Sequence, residues 1–238
     1  SKAETNELVK PPELLFLGTG SAKPTSKRGQ SAILAYFRSE SGKVVTGLLD
    51  CGGGTWATLV RLLGETVAAE VIDNLHFIWI SHHHADHCAG LPTVIWRRKR
   101  AGLKVVAPDR VQRFWRSAVT LLGAGFGGAL SAPAFLDHSQ FMQHKELGSP
   151  ALFTLQSVPV QHCQHSYALV IRTKTHQVVY SGDCRPSSDL VAAADSQRAG
   201  RQTWLIHEGT FDAEEQADAE AKRHSTIQEA CKIARQME

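Results

Sequence analysis

The sequence holds no C-x-x-C pair, no long apolar run, no internal repeat visible by eye and no low-complexity tract apart from one acidic patch, DAEEQADAEA at 212–221. Each absence removes a class of protein. The five cysteines, at 51, 88, 163, 184 and 231, form an odd set without paired spacing, which suits a reducing intracellular compartment better than a disulfide framework. No apolar stretch approaches the roughly 20 residues of a membrane-spanning helix, so no membrane partner is expected. The opening SKAETNELVKPPE also lacks the apolar stretch of a signal peptide. A net charge of +3 permits a polyanionic partner without arguing for one.

What is present is a chain of 238 residues, 42% hydrophobic, large enough to bury its own core, with twelve histidines as its one conspicuous count. Short runs rich in Val, Ile, Leu and Phe recur between polar or glycine turns and read as strands: 14–17, 32–37, 44–49, 76–80, 104–107, 152–160, 168–173, 177–180 and 203–207. Val111, Phe114, Trp115, Ala118, Val119 and Leu122 share a helical stripe. A second helix is expected from Ser225, where S-T-I-Q has the form of a capping box. The stretch 123–150 shows no period and reads as loop, and the acidic patch as a solvated helix face. Strands grouped before and after helices suggest a mixed sheet, or two sheets with helices outside.

The histidines concentrate in ISHHHADHCAG, directly after the apolar run HFIWI. A strand end delivers side chains from a buried scaffold to a rim, and neutral imidazoles with carboxylates form zinc sites. Alternation along an extended segment pairs His82 with His84, lets Asp86 and His87 turn to a second metal and points His83 away. His162 and Asp183 follow apolar runs in the same manner. His138, His144, His165 and His176 lack that context and read as solvated surface. Two cations ~3.5–4 Å apart would activate a water and stabilise charge on a phosphoryl group.

These residues, with FLGTGSAKPTSKRGQSA (16–32), LLDCGGGT (48–55), VPVQHC (158–163), YSGDCRP (180–186), IHEGTF (206–211) and KRHST (222–226), resemble the metallo-β-lactamase superfamily. The finer match is to tRNase Z, and within it to the C-terminal half of the long form. The resemblance implies an α/β fold, a four-layer αβ/βα sandwich of two mixed β-sheets, and an endoribonuclease that removes the 3′ trailer from precursor tRNA. It implies two zinc ions, with manganese or magnesium able to replace them: His82, His84 and His162 on one, Asp86 and His87 on the other, and Asp183 bridging. Asp50 would orient the ligands, Glu208 and His224 would pass a proton to the leaving oxygen with Asp86 also catalytic, and Lys27 and Arg28 would contact substrate.

The resemblance further implies that 1–238 is a single catalytic domain cut at both ends from a longer chain, whose N-terminal half would be its partner in the nucleus or mitochondrion. The family's P-x-K-x-R-N reads P-T-S-K-R-G-Q here, Gly53 replaces a glutamate, Gly209 an alanine, and the family's last histidine ligand would lie past Glu238. The basic run at 96–104, with Arg110, Arg113 and Arg116, suits phosphates or a charged helix face equally. The competing functions are another hydrolase of this fold acting on a small ester or thioester, and an impaired homologue serving as an RNA-binding or scaffold subunit.

Overall fold

The computed structural model describes residues 11–38, 44–123, 132–140 and 153–238. The chain opens with three antiparallel strands, β1 (Glu13–Gly18), β2 (Ala32–Arg38) and β3 (Val44–Leu49). Helices α1 (Thr55–Leu63) and α2 (Glu65–Asp73) lead to β4 (Leu75–Trp79), which lies parallel to β3. Helices α3 (Ala85–Cys88) and α4 (Leu91–Arg97) precede β5 (Lys104–Val106), and α5 (Asp109–Leu122) precedes β6 (Ala134–Leu136). These six strands form one sheet in sequence order. The second sheet, ordered β10-β9-β8-β7, contains β7 (Thr154–Pro159), β8 (Tyr167–Arg172), β9 (His176–Tyr180) and, after α6 (Ser188–Ser196), β10 (Gln202–Ile206). Helices α7 (Gln216–Lys222) and α8 (Ile227–Gln236) follow.

The period-two rule explains the layering. Along β2, Ile33, Ala35 and Phe37 face the second sheet, while Ala32 and Leu34 face the helices outside the first. In β4 and the residue after it, Phe77 and Trp79 point inward between the sheets, and Ile78 and Ile80 outward under the helices. Both faces of these strands are therefore apolar, which is why they read as continuous hydrophobic runs. A third cluster, including Val170, Val179, Leu190 and Ile233, seats α6 and α8 on the outer face of the second sheet. The result is helix, sheet, sheet, helix, the sandwich that the sequence motifs implied. Gly47 in β3 leaves the space that the Phe77 ring occupies, so a side chain there would collide with the core.

Three expectations need correction. A strand, β6, lies within the stretch read as loop, paired in parallel with β5; most of 123–150 is outside the described residues. The last helix is capped one residue later than S-T-I-Q suggests: Thr226 caps it, Glu229 bonds back to the Thr226 N–H at 2.9 Å, and Ser225 is buried with its hydroxyl on the Cys184 carbonyl. His138 is fully buried rather than solvated, stacked on Tyr167 and bonded to Ser157 and the Ile80 carbonyl. His165 is exposed and His176 half-buried, while His144 lies outside the described residues. The acidic patch lies mostly exposed along α7 and the short turn before it.

Candidate metal centre

Five strands end on one rim. Asp50 follows β3, His82 follows β4, His162 follows β7, Asp183 follows β9 and Glu208 follows β10. Strands β3 and β4 run parallel, and β7, β9 and β10 share a direction, so each contributes its C-terminal end. The two halves of the rim are joined where the Tyr167 N–H donates to the Ser81 carbonyl at 3.0 Å.

Three imidazole nitrogens meet first. His84 Nδ1 lies 3.0 Å from His82 Nε2 and 3.1 Å from His162 Nε2. That spacing is close to the roughly 3.3 Å that Zn–N bonds of ~2.0–2.1 Å impose around a tetrahedral ion. The opposite nitrogens have partners of their own: His162 Nδ1 donates to the Arg223 carbonyl at 3.0 Å, and His82 Nδ1 faces Ser81 Oγ at 3.0 Å. Such partners hold a ring with its free lone pair directed at an ion. Burial lowers the pKa of all three histidines and so favours the neutral form that binds metal.

A second group forms around Asp183. Its Oδ2 lies 3.3 Å from His87 Nε2 and 3.9 Å from each of His82 Nε2, His162 Nε2 and His224 Nδ1. One carboxylate oxygen thus faces both histidine groups. Burial alone would raise the Asp183 carboxyl, but His87 and its other neighbours hold it well below the usual range, as an anion. Asp86 completes the group, with Oδ2 3.6 Å from His87 Nε2. In ligand chemistry and spacing the residues present fit one or more divalent cations of the zinc type, and the neutral form favoured at His82, His84 and His162 suits that role. His83 belongs to neither group: its Nε2 meets Arg110 at 3.1 Å and its Nδ1 lies 3.5 Å from Cys163 Sγ.

Asp50 stands behind the ligands, fully buried and with four partners. It accepts from the Ser81 N–H (2.7 Å), the Ser81 hydroxyl (2.9 Å) and the Tyr180 hydroxyl (2.6 Å), and pairs with His87 Nδ1 at 2.7 Å. Burial opposes charge on His87, but Asp50 and Asp183 more than offset it and raise its pKa. Asp50 takes a left-handed φ of 56°, held by its N–H on the Trp79 carbonyl at 2.7 Å.

Beside the metal groups, Glu208 Oε1 lies 2.9 Å from His224 Nδ1 and also accepts from the Cys184 N–H at 2.8 Å, while Thr210 Oγ1 donates to Oε2 at 2.7 Å. Burial disfavours the charged form of His224, yet the hydrogen bond and charge of Glu208 prevail and raise its pKa. Arg185 fixes this corner: it donates to the His224 carbonyl at 2.6 Å and to both Glu229 oxygens at 2.5 and 2.8 Å.

A cavity of about 780 Å³ opens over these groups. Of the two residues expected to contact substrate, Arg28 is on its wall and Lys27 is not; Lys23, which the motif does not single out, is also there. Sequence reasoning also missed Tyr180, Thr210 and Arg185, which act through hydrogen bonds to other site residues, and Cys163, whose Sγ lies near the first histidine group. Only the third dimension reveals those contacts.

The same architecture occurs in the metallo-β-lactamase fold protein YhfI from Bacillus subtilis, with a TM-score of 0.72 at 19% identity over 96% of this chain and 83% of that one. The layered sandwich and its strand-end rim define a chain of the metallo-β-lactamase fold. A family model described as anti-Pycsar protein Apyc1 matches residues 12–238, and the chain belongs to that family. Among curated relatives, human zinc phosphodiesterase ELAC protein 2 is 32% identical over 250 residues, covering 95% of this chain. The chain spans 28% of that relative's length. A long-form RNase Z from yeast shares the fold with a TM-score of 0.77 and 23% identity, over 95% of this chain and 36% of that one. The tRNase Z resemblance carried by the motifs is thus matched in both sequence and fold.

Proposed function

We propose that this chain is the catalytic part of a metal-dependent phosphodiesterase that removes the 3′ trailer from precursor tRNA. The observation that carries the reading is Asp183 Oδ2, one carboxylate oxygen facing His82, His87, His162 and His224. Two zinc ions, with manganese or magnesium as substitutes, would be held by His82, His84 and His162 on one side and Asp86 and His87 on the other, with Asp183 between. Bound there, they would supply an acidified water and offset negative charge on the phosphate.

The chain's own residues supply the rest. Arg28 and Lys23 place cationic groups on the cavity wall where a phosphate backbone would enter. His224 turns Nδ1 to Glu208, which leaves Nε2 as the atom from which a proton can pass to the departing 3′ oxygen. Glu208 keeps that imidazole charged until transfer. The human relative is named a zinc phosphodiesterase, which supports the reaction, and the yeast one a long-form RNase Z, which supports the substrate. On the same reading, an N-terminal half of a longer chain is the partner and the nucleus or mitochondrion the setting.

The test is cleavage of a trailer-bearing tRNA by the zinc-loaded protein, with metal content measured in parallel. Asp183→Ala and Asp86→Ala are expected to abolish cleavage and reduce bound metal. Undiminished cleavage by either variant would overturn the reading.

A further inference from the structure

The cavity has two chemistries on its walls. The lining combines the metal-binding groups, Lys23 and Arg28 with the apolar side chains of Phe16, Ile33 and Ile206. Its volume of about 780 Å³ lies within the ~300–1,000 Å³ of small-molecule sites and far exceeds what a phosphate group fills. Phe16 is the unusual member. It sits opposite Ile33 in the β1–β2 ladder, and by strand parity it shares the face of Leu14, which packs into the core between the sheets. Ile33 is buried in that core, whereas Phe16 remains 46% exposed on the cavity side. The core's apolar surface therefore continues into the cavity and ends in an uncovered aromatic ring.

A flat apolar face in the same cavity as anion-binding groups matches a molecule that is anionic at one point and planar at another. We propose that Phe16 is the stacking platform for the base adjacent to the scissile phosphate, so that the cavity selects nucleoside phosphodiesters over phosphate esters without a base. This rests on the phosphodiesterase reading above and adds the specificity residue. Phe16 touches neither the histidine groups nor the Glu208–His224 pair in any hydrogen bond or ring contact among the described residues, so its role is separable from theirs.

The probe is a dinucleoside monophosphate carrying 2-aminopurine, placed in turn on each side of the phosphate, titrated into zinc-loaded protein and followed by fluorescence. An abasic analogue is the control. Stacking of one base on an aromatic ring is worth about five- to hundredfold in affinity. Phe16→Leu is expected to weaken binding of one probe by that factor and to relieve its quenching, Phe16→Trp to preserve both, and the abasic analogue to bind wild type and Phe16→Leu alike. Phe16→Thr, suited to an edge strand, provides a second loss variant, and melting curves verify that each variant folds. Equal affinity and quenching in wild type, Phe16→Leu and Phe16→Thr would overturn the proposal, as would no binding of either probe to wild type. Cleavage of the probes, followed in the same samples, separates the two claims: binding that depends on Phe16 without cleavage by wild type breaks the phosphodiesterase reading alone, and cleavage indifferent to Phe16 breaks the stacking proposal alone.

Discussion

Glu208 Oε1 and His224 Nδ1 lie 2.9 Å apart, although they come from the end of β10 and the turn before α8. The pair is held from both sides, by the Cys184 N–H and Thr210 on the carboxylate and by Arg185 on the His224 carbonyl. Glu208→Gln keeps the shape and removes the charge. It is expected to lower kcat by roughly 10²- to 10⁴-fold, the range of a lost general acid, with metal content unchanged. Single-turnover cleavage beside elemental analysis checks both.

Asp50 has no water to fall back on, since it is fully buried with four partners. Asp50→Asn is expected to reduce metal affinity about 10- to 100-fold through loss of the charge that orients His87. Asp50→Ala additionally strands the Ser81 N–H and the Tyr180 hydroxyl, at a cost of about 1–3 kcal/mol for each unsatisfied group. A chelator titration measures the first effect and denaturant unfolding the second.

His82 and His83 are neighbours in sequence with opposite roles. His83 turns to Arg110 and Cys163, so His83→Ala should leave metal stoichiometry unchanged, whereas His82→Ala should reduce it. Equal losses in both variants would show that the alternation of side chains does not govern this segment.

The buried His138 supplies a pH dependence of stability. Burial lowers its pKa to about 4, below the 6.5 of an unperturbed imidazole. The unfolded chain therefore binds a proton more readily than the folded one between those values, and stability falls as pH drops from 6.5 towards 4. His138→Gln, which cannot charge, is expected to show a shallower decline over that window in urea unfolding. Identical slopes would place the acid sensitivity elsewhere.

Much of the fold was legible because strands buried on both faces leave uninterrupted apolar runs, as in AILAYF and HFIWI. Strand β6 was not, because three residues are too few to show a period and its pairing partner β5 is distant in sequence. The cap at Thr226 was misread by one residue because Ser225 and Thr226 are equally good caps locally; the reach of Glu229 and the bond from Ser225 to Cys184 decide between them. His138 looked like surface in the polar string LDHSQ, and only Trp79, Tyr167 and Ser157 from other strands make it a core residue. At the site, strand-end position and residue type pointed to the histidines and aspartates that the fold brings together. Lys23 and Phe16 escaped notice because a lysine in a loop and a phenylalanine in a strand carry no signal until the cavity they share is seen.

The grip of Arg185 on the His224 carbonyl and on Glu229 has a thermal corollary. The same residue is two positions from Asp183, so the end of β9, the turn at His224 and the first turn of α8 are clamped as one piece. Fraying of α8 on warming would loosen that clamp, displacing Asp183 and His224 in concert. Heat inactivation of this chain would then track the loss of its last helix and set in before the two sheets come apart.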